Sequence, residues 1–131
     1  MSVERAATGG DAVSYDDGMK VRREVLGDAH VDRAAPDEFT RDFQEFITKY
    51  AWGEVWTRPG LDRRTRSAIT LTALIARGHW DELKLHVAAA VRNGLTEDEI
   101  GEVILQSAIY CGVPAANHAF SVARSVLKED V

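Results

Sequence analysis

The stretch from Asp62 to Gly94, DRRTRSAITLTALIARGHWDELKLHVAAAVRNG, constrains the fold more than any other part of the chain. It reads as two consecutive helices. Asp62 offers an N-cap oxygen to the first. After its basic start that helix is nearly all apolar, as a helix buried on most sides must be. The second spans His79–Asn93, with Leu83, Val87, Ala90 and Val91 as its inward stripe and Gly94 as its stop. A chain built around such a pair is expected to be all-α.

The flanking sequence agrees. Thr96-Glu97-Asp98-Glu99 is a capping box that opens a helix with Ile100, Val103, Ile104, Ser107 and Ala108 inward. Gly112-Val113-Pro114 breaks it after Tyr110-Cys111, and a last helix covers Ala115–Lys128. Upstream, Ser14 is a plausible N-cap for a first helix that Gly27 closes, and 28–36 reads as a connector. Phe39, Phe43, Phe46, Ile47 and Tyr50 recur at helical spacing, which predicts a second helix with these side chains in the core. Trp52 and Trp56 follow, four apart, as a candidate pocket wall or subunit contact before the Pro59-Gly60 turn. The expected architecture is a single-domain bundle of about six helices over 15–131, preceded by a flexible tail at 1–14.

Composition narrows the function classes. The formal charge is −5, and Lys and Arg are spread along the chain, which argues against nucleic acid as the main partner. No apolar run has the length of a membrane span or the form of a signal peptide, so no membrane partner and a cytoplasmic location are expected. Cys111 is the only cysteine; it suits a buried small hydrophobe, and no disulfide can form within the chain.

His79, Glu82 and His86 stand at i, i+3 and i+7, on one side of their helix. As metal ligands they would need help from another element, such as His118, and the spacing is not that of zinc hydrolases; no metal is expected. Thiol exchange lacks a second thiol. Acid–base chemistry remains, with His86 suited to proton transfer near neutral pH and Glu82 one turn away to orient it. Arg63, Arg64 and Arg66 crowd a helix N-terminus, against the helix dipole. They are either surface or salt-bridged side chains, or a site for a substrate carboxylate.

These residues also carry a resemblance. Trp52-Gly-x-Val-Trp56-x-Arg58-Pro-Gly-Leu61, Arg63-x-Thr65-Arg66-Ser67, Glu82-Leu-x-x-His86, Asn93-Gly-Leu-Thr-x-x-Glu99-Ile and Tyr110-Cys-Gly-Val-Pro-Ala-Ala-Asn117 together resemble the carboxymuconolactone decarboxylase family, over about Tyr15 to Leu127. The resemblance implies the all-α, alkyl hydroperoxidase D-like fold. Peroxidase members carry Cys-x-x-Cys-x-x-x-His; here the cysteine positions are His79 and Glu82, and the histidine is His86. The implied activity is therefore cofactor-free decarboxylation of γ-carboxymuconolactone to β-ketoadipate enol-lactone in protocatechuate catabolism. It also implies a homo-oligomer, trimeric or hexameric, with apolar surface near Trp52 and Trp56 shared between subunits.

In that reading His86 donates the proton and Glu82 sets its state. His79, His118 and Tyr110 are further candidates for the developing oxyanion. Arg66 or Arg64 anchors the retained carboxylate, and Trp52, Trp56 and Cys111 are candidate pocket walls. The alternatives are a related member acting on another lactone or keto acid, a thiol-dependent peroxidase, and a non-catalytic assembly protein.

Overall fold

The computed structural model describes residues 11–129, and the chain divides into two compact units at Gly60/Leu61. Most of the expected 1–14 tail lies outside the described residues. Among the described residues every regular element is helical.

The second unit holds the sequence's strongest signals. Helix α4 (Arg63–Arg77) begins at Asp62, whose carboxylate accepts the Thr65 N–H at 2.8 Å, and ends at Gly78 in the left-handed region (φ 69°). Helix α5 (Trp80–Arg92) starts with His79 at the cap position. Helix α6 (Glu97–Cys111) carries the complete capping box between Thr96 and Glu99. Helix α7 (Val113–Glu129) takes Pro114 into its first turn, where the missing N–H costs nothing. These four pack on one another around Leu71, Ile75, Leu83, Val87, Ile100 and Ile104, each essentially without exposure. Ala116, Ala119 and Ala123 let α7 lie close against α5. One inward position differs from expectation: Val91 is exposed, and Ala89 is buried in its place.

The first unit departs further from the sequence reading. Helix α1 (Asp11–Leu26) begins before Ser14, so Ser14 is not its cap; its hydroxyl donates to the Glu54 carboxylate. The expected connector contains a short helix, α2 (Asp28–Arg33), anchored by Val31. Helix α3 (Arg41–Ile47) runs into an eight-residue π-helix (Thr48–Val55). The π-helix lies against α1 with backbones nearly touching: a Cβ at Gly18 would collide with the Thr48 carbonyl, and one at Gly53 with the Ser14 carbonyl. The aromatic stripe expected in the core is not there. Phe39 is 96 % exposed, and Phe43, Phe46 and Tyr50 are also exposed. Helical spacing marks a face that seeks cover, and within this unit the cover goes to Trp52, Val21 and Val25 instead.

Candidate active site

The His79–Glu82–His86 row runs from solvent toward the interior. His79 and Glu82 are exposed at the start of α5, while His86 is half-buried one to two turns on, with its Nδ1 out of contact with water. The reason is local. His86 lies between Leu83 and Ala90 on the helix surface, at the edge of the buried stripe. An imidazole there is held by packing yet keeps one side open, the setting a general acid needs.

The row does not close on one pocket. An open hollow of about 540 Å³ is lined by Gly78, His79, Trp80, Asp81 and Glu82, without His86. His79 Nε2 accepts a long hydrogen bond from Arg77 Nε at 3.4 Å. His118 reaches the same corner from α7 by stacking on Trp80, with ring centroids 4.3 Å apart. The structure therefore brings His79, Glu82, Trp80 and His118 toward one end of α5. Tyr110, 81 % exposed near the end of α6, does not line that hollow. Cys111 is half-buried against the core of this unit, as a small apolar side chain would be. Among the described residues no group of three or more His, Cys, Asp or Glu is arranged to hold a metal ion.

The arginine cluster separates into roles. Arg64 donates to the Glu99 carboxylate and to the Gly94 carbonyl, tying the start of α4 to the start of α6. The Glu99 hydrogen bond raises the Arg64 pKa, and the same bond lowers that of Glu99. This contact answers the dipole conflict at the helix start and commits Arg64 to structure. Arg66 is half-buried, with Nε shielded from water. Asn93 Nδ2 donates to the buried Ser67 Oγ at 2.8 Å, and that bond fixes the antiparallel register of α4 and α5. In this register Leu74 lies level with His86, and Arg66 is about 12 Å away along the axis at ~1.5 Å per residue.

Ser67 and Asn93 were not singled out as site candidates from sequence. Small polar residues carry no distinctive spacing, and only their mutual hydrogen bond across two helices marks them. Trp52 and Trp56 belong to the first unit. Trp52 is buried there and Trp56 half-buried, with ring centroids 5.0 Å apart.

Comparison with known proteins identifies the chain's relatives. The sequence profile of the carboxymuconolactone decarboxylase family matches residues 41–125. A 4-carboxymuconolactone decarboxylase of Acinetobacter baylyi is 48 % identical over 121 residues, covering 91 % of this chain and 90 % of that protein. A nitrosuccinic acid decarboxylase of Metarhizium robertsii is 46 % identical over 119 residues, covering 89 % of this chain and 83 % of that protein. A 4-carboxymuconolactone decarboxylase of Pseudomonas putida is 57 % identical over 42 residues, 30 % of this chain and 88 % of that sequence.

Proposed function

The chain belongs to the carboxymuconolactone decarboxylase family, and from that premise we propose that it is a carboxy-lyase converting γ-carboxymuconolactone to β-ketoadipate enol-lactone in the breakdown of protocatechuate. The observation that carries this is end-to-end similarity to a decarboxylase of that name, 48 % identity over nine-tenths of both chains.

The chemistry suits a protein that works with side chains alone. The bond from the ring carbon to its carboxylate breaks, and CO₂ leaves. The electron pair moves through the ring alkene onto the lactone carbonyl, giving a dienolate. A proton then joins the ring carbon beside the carbonyl. The substrate is its own electron sink. The protein must hold the remaining carboxylate, stabilise the dienolate oxygen and deliver one proton.

His86 is assigned the proton, which water restores to the imidazole afterwards. Its half-buried position at the edge of the core supports this. Glu82, one turn before it, is the residue that orients it. Arg66, half-buried in the first turn of α4, is assigned the retained carboxylate, with Arg64 the alternative. The axial offset between Arg66 and His86, about 12 Å at ~1.5 Å per residue, rules out a direct ion pair between them. His79 and His118, gathered near Trp80, are weaker candidates for the oxygen, and Tyr110 is the weakest.

The fungal relative supports a second reading. Nitrosuccinic acid is also a dicarboxylic acid, and its nitro group can take up the electron pair as the lactone carbonyl does. The test is direct: the purified protein is given each acid and CO₂ release is followed. Turnover of the lactone at least a hundredfold more efficient than that of nitrosuccinate is expected. The reverse ratio would replace the first reading with the second.

The protein is also assigned to the cytoplasm and to a homo-oligomer, a trimer or hexamer. In support, no helix among the described residues is long and apolar enough to cross a membrane. Phe39, Phe43, Phe46 and Tyr50 in the first unit, and Ile69, Leu105, Ile109 and Val113 in the second, are exposed. Uncovered apolar side chains in this number support a reading with subunit contacts.

A further inference from the structure

A cavity of about 250 Å³ opens in the seam between α6 and α7. Its floor is apolar and belongs to the core of the second unit: Ile100 and Ile104 are each 1 % exposed. Phe120, exposed, and Leu127, half-buried, form the α7 wall. The two helices are consecutive and packed on one another. Ile104 and Phe120 stand equally far from the Gly112 break, as do Glu97 and Leu127, so the seam has an aromatic end and a charged end. Toward the charged end Arg124 and Lys128, one turn apart, line it from α7 and Glu97 lines it from α6.

Gly101 opens this cavity. It lies inside α6, where a glycine weakens the helix relative to alanine. The two usual structural reasons for a glycine do not apply. Its φ is not in the left-handed region, as those of Gly78, Gly94 and Gly112 are. A Cβ on it would meet nothing within 4 Å beyond its own turn of helix, among the described residues, whereas one on Gly18 or Gly53 would strike backbone. The missing side chain leaves open space on the cavity wall. The cavity is also separate from the other surfaces of this unit. Ile69, Leu105 and Ile109, assigned to subunit contacts, line a different hollow between α4 and α6. None of Glu82, His86 and Arg66 lines this one.

We propose that the α6–α7 cavity is a second ligand site, and that it takes a small monocarboxylate with an apolar body, an aryl carboxylate of one ring. The volume lies below the roughly 300–1,000 Å³ of pockets for larger ligands, which suits a single ring. The ring rests on Ile100 and Ile104 beside Phe120, and the carboxylate meets Arg124 and Lys128, whose long stems carry their charged heads to the rim. Glu97 sets the charge of the ligand. Two cations against one carboxylate leave a place for one further negative charge, and a second would be repelled by Glu97. The selectivity is thus opposite to that of the catalytic site, whose proposed substrates are dicarboxylic acids.

Benzoate is the probe, with benzyl alcohol as its uncharged counterpart and phthalate as the same ring with a second carboxylate. Each is titrated into the full chain and followed by ligand-observed NMR and thermal melting. The wild type should bind benzoate saturably with a Kd of about 1 mM, and benzyl alcohol and phthalate at least about tenfold more weakly. Gly101→Leu fills the cavity from its wall. It should melt at or above the wild type, since leucine is the better helix former, and should lose benzoate binding with lactone kcat and KM unchanged. Arg124→Gln combined with Lys128→Gln, both at exposed positions, should weaken benzoate about tenfold or more and leave benzyl alcohol as it was.

Benzoate binding at full strength in Gly101→Leu would place the ligand elsewhere on the molecule and overturn the proposal. Benzyl alcohol binding as well as benzoate would do the same, because the hollow would then have no anion site. So would the absence of saturation at about 10 mM benzoate. Gly101→Leu running as a smaller species than the wild type on a sizing column would make a second copy the occupant, and that too overturns it. Should Gly101→Leu fail to fold, the paired Arg124→Gln and Lys128→Gln variant decides: unweakened benzoate binding overturns the proposal, and a tenfold loss confined to the carboxylate upholds it. A wild type that binds benzoate in this way and leaves the lactone untouched keeps this site and discards the decarboxylase reading.

Discussion

The two units use the same amphipathic signal to different ends. In the second, the periodic apolar residues of α4, α5, α6 and α7 meet each other, and Leu71, Leu83, Val87 and Ile104 vanish from the surface. In the first, an equally regular stripe from Phe39 to Tyr50 stays in water, while a charged residue, Arg22, is buried. The second unit closes a core of its own, although Ile69, Leu105, Ile109 and Val113 stay exposed on its outside. The first leaves an aromatic face exposed and buries a cation that donates to two neutral partners, Thr48 and Gln44. A hydrophobic period shows that a face is to be covered, and it carries no information about whether the cover is intramolecular.

The largest expected effect belongs to the second unit. His86→Ala and His86→Gln should cut kcat for the lactone by about 10²–10⁴-fold, the usual yield of a positioned acid. Melting temperature should barely change, since the ring is only half-buried. Rates within threefold of wild type would remove His86 from the mechanism. They would also undo the view that the second unit supplies the proton.

Leu83→Ala comes next and sharpens the contrast in packing. Leu83 is 0 % exposed, so the truncation should destabilise by about 2–5 kcal/mol, read by chemical denaturation. Phe43→Ser removes a larger side chain that is 61 % exposed. It should leave the stability of the subunit within about 0.5 kcal/mol and instead shift the assembly toward smaller species on a sizing column. Equal destabilisation by both would show that the stripe is covered within its own chain after all.

Thr96→Ala probes a smaller and strictly local term. The Thr96 hydroxyl accepts the Glu99 N–H at 3.1 Å, and its loss should cost about 1 kcal/mol, visible as a lower denaturation midpoint at unchanged slope.

What the sequence made legible follows the same divide. The Asp62 cap and the Thr96–Glu99 box were readable because donor and acceptor lie three residues apart. The core of α4–α7 was readable because its period and its partners agree. The π-helix was not, since no residue pattern here distinguishes it from an α-helix. Arg64 was a substrate candidate because its partner, Glu99, is 35 residues away and only the fold reveals that its charge is spent. At the site, chemistry and resemblance pointed to the start of α5. Burial then ranked the candidates, setting half-buried His86 apart from exposed His79, Glu82, His118 and Tyr110. The buried cation at Arg22 left no trace in the sequence, where it looks like one more arginine on an amphipathic helix.

The smallest effects should appear in the acid limb of stability, and they compare one carboxylate from each unit. Glu99 is held below the ordinary glutamate range by the Arg64 guanidinium first and the Thr96 N–H second. Asp37 is held below the aspartate range by the N–H and hydroxyl of Thr40. In both, the folded value is the lower one. Their stabilisation is therefore present above the unfolded pKa and is lost as pH falls through the folded value, a window opening below about pH 4.5. The Glu99 bonds tie α4 to α6, whereas Asp37 and Thr40 close only a turn. Glu99→Gln should therefore flatten the acid limb of the melting temperature between about pH 5 and pH 3 more than Asp37→Asn does. If Asp37→Asn has the larger effect, the 37–40 turn carries more of the first unit's order than its local contacts imply, and the contrast between a unit whose apolar period is buried and one whose aromatic stripe is exposed would need to be redrawn.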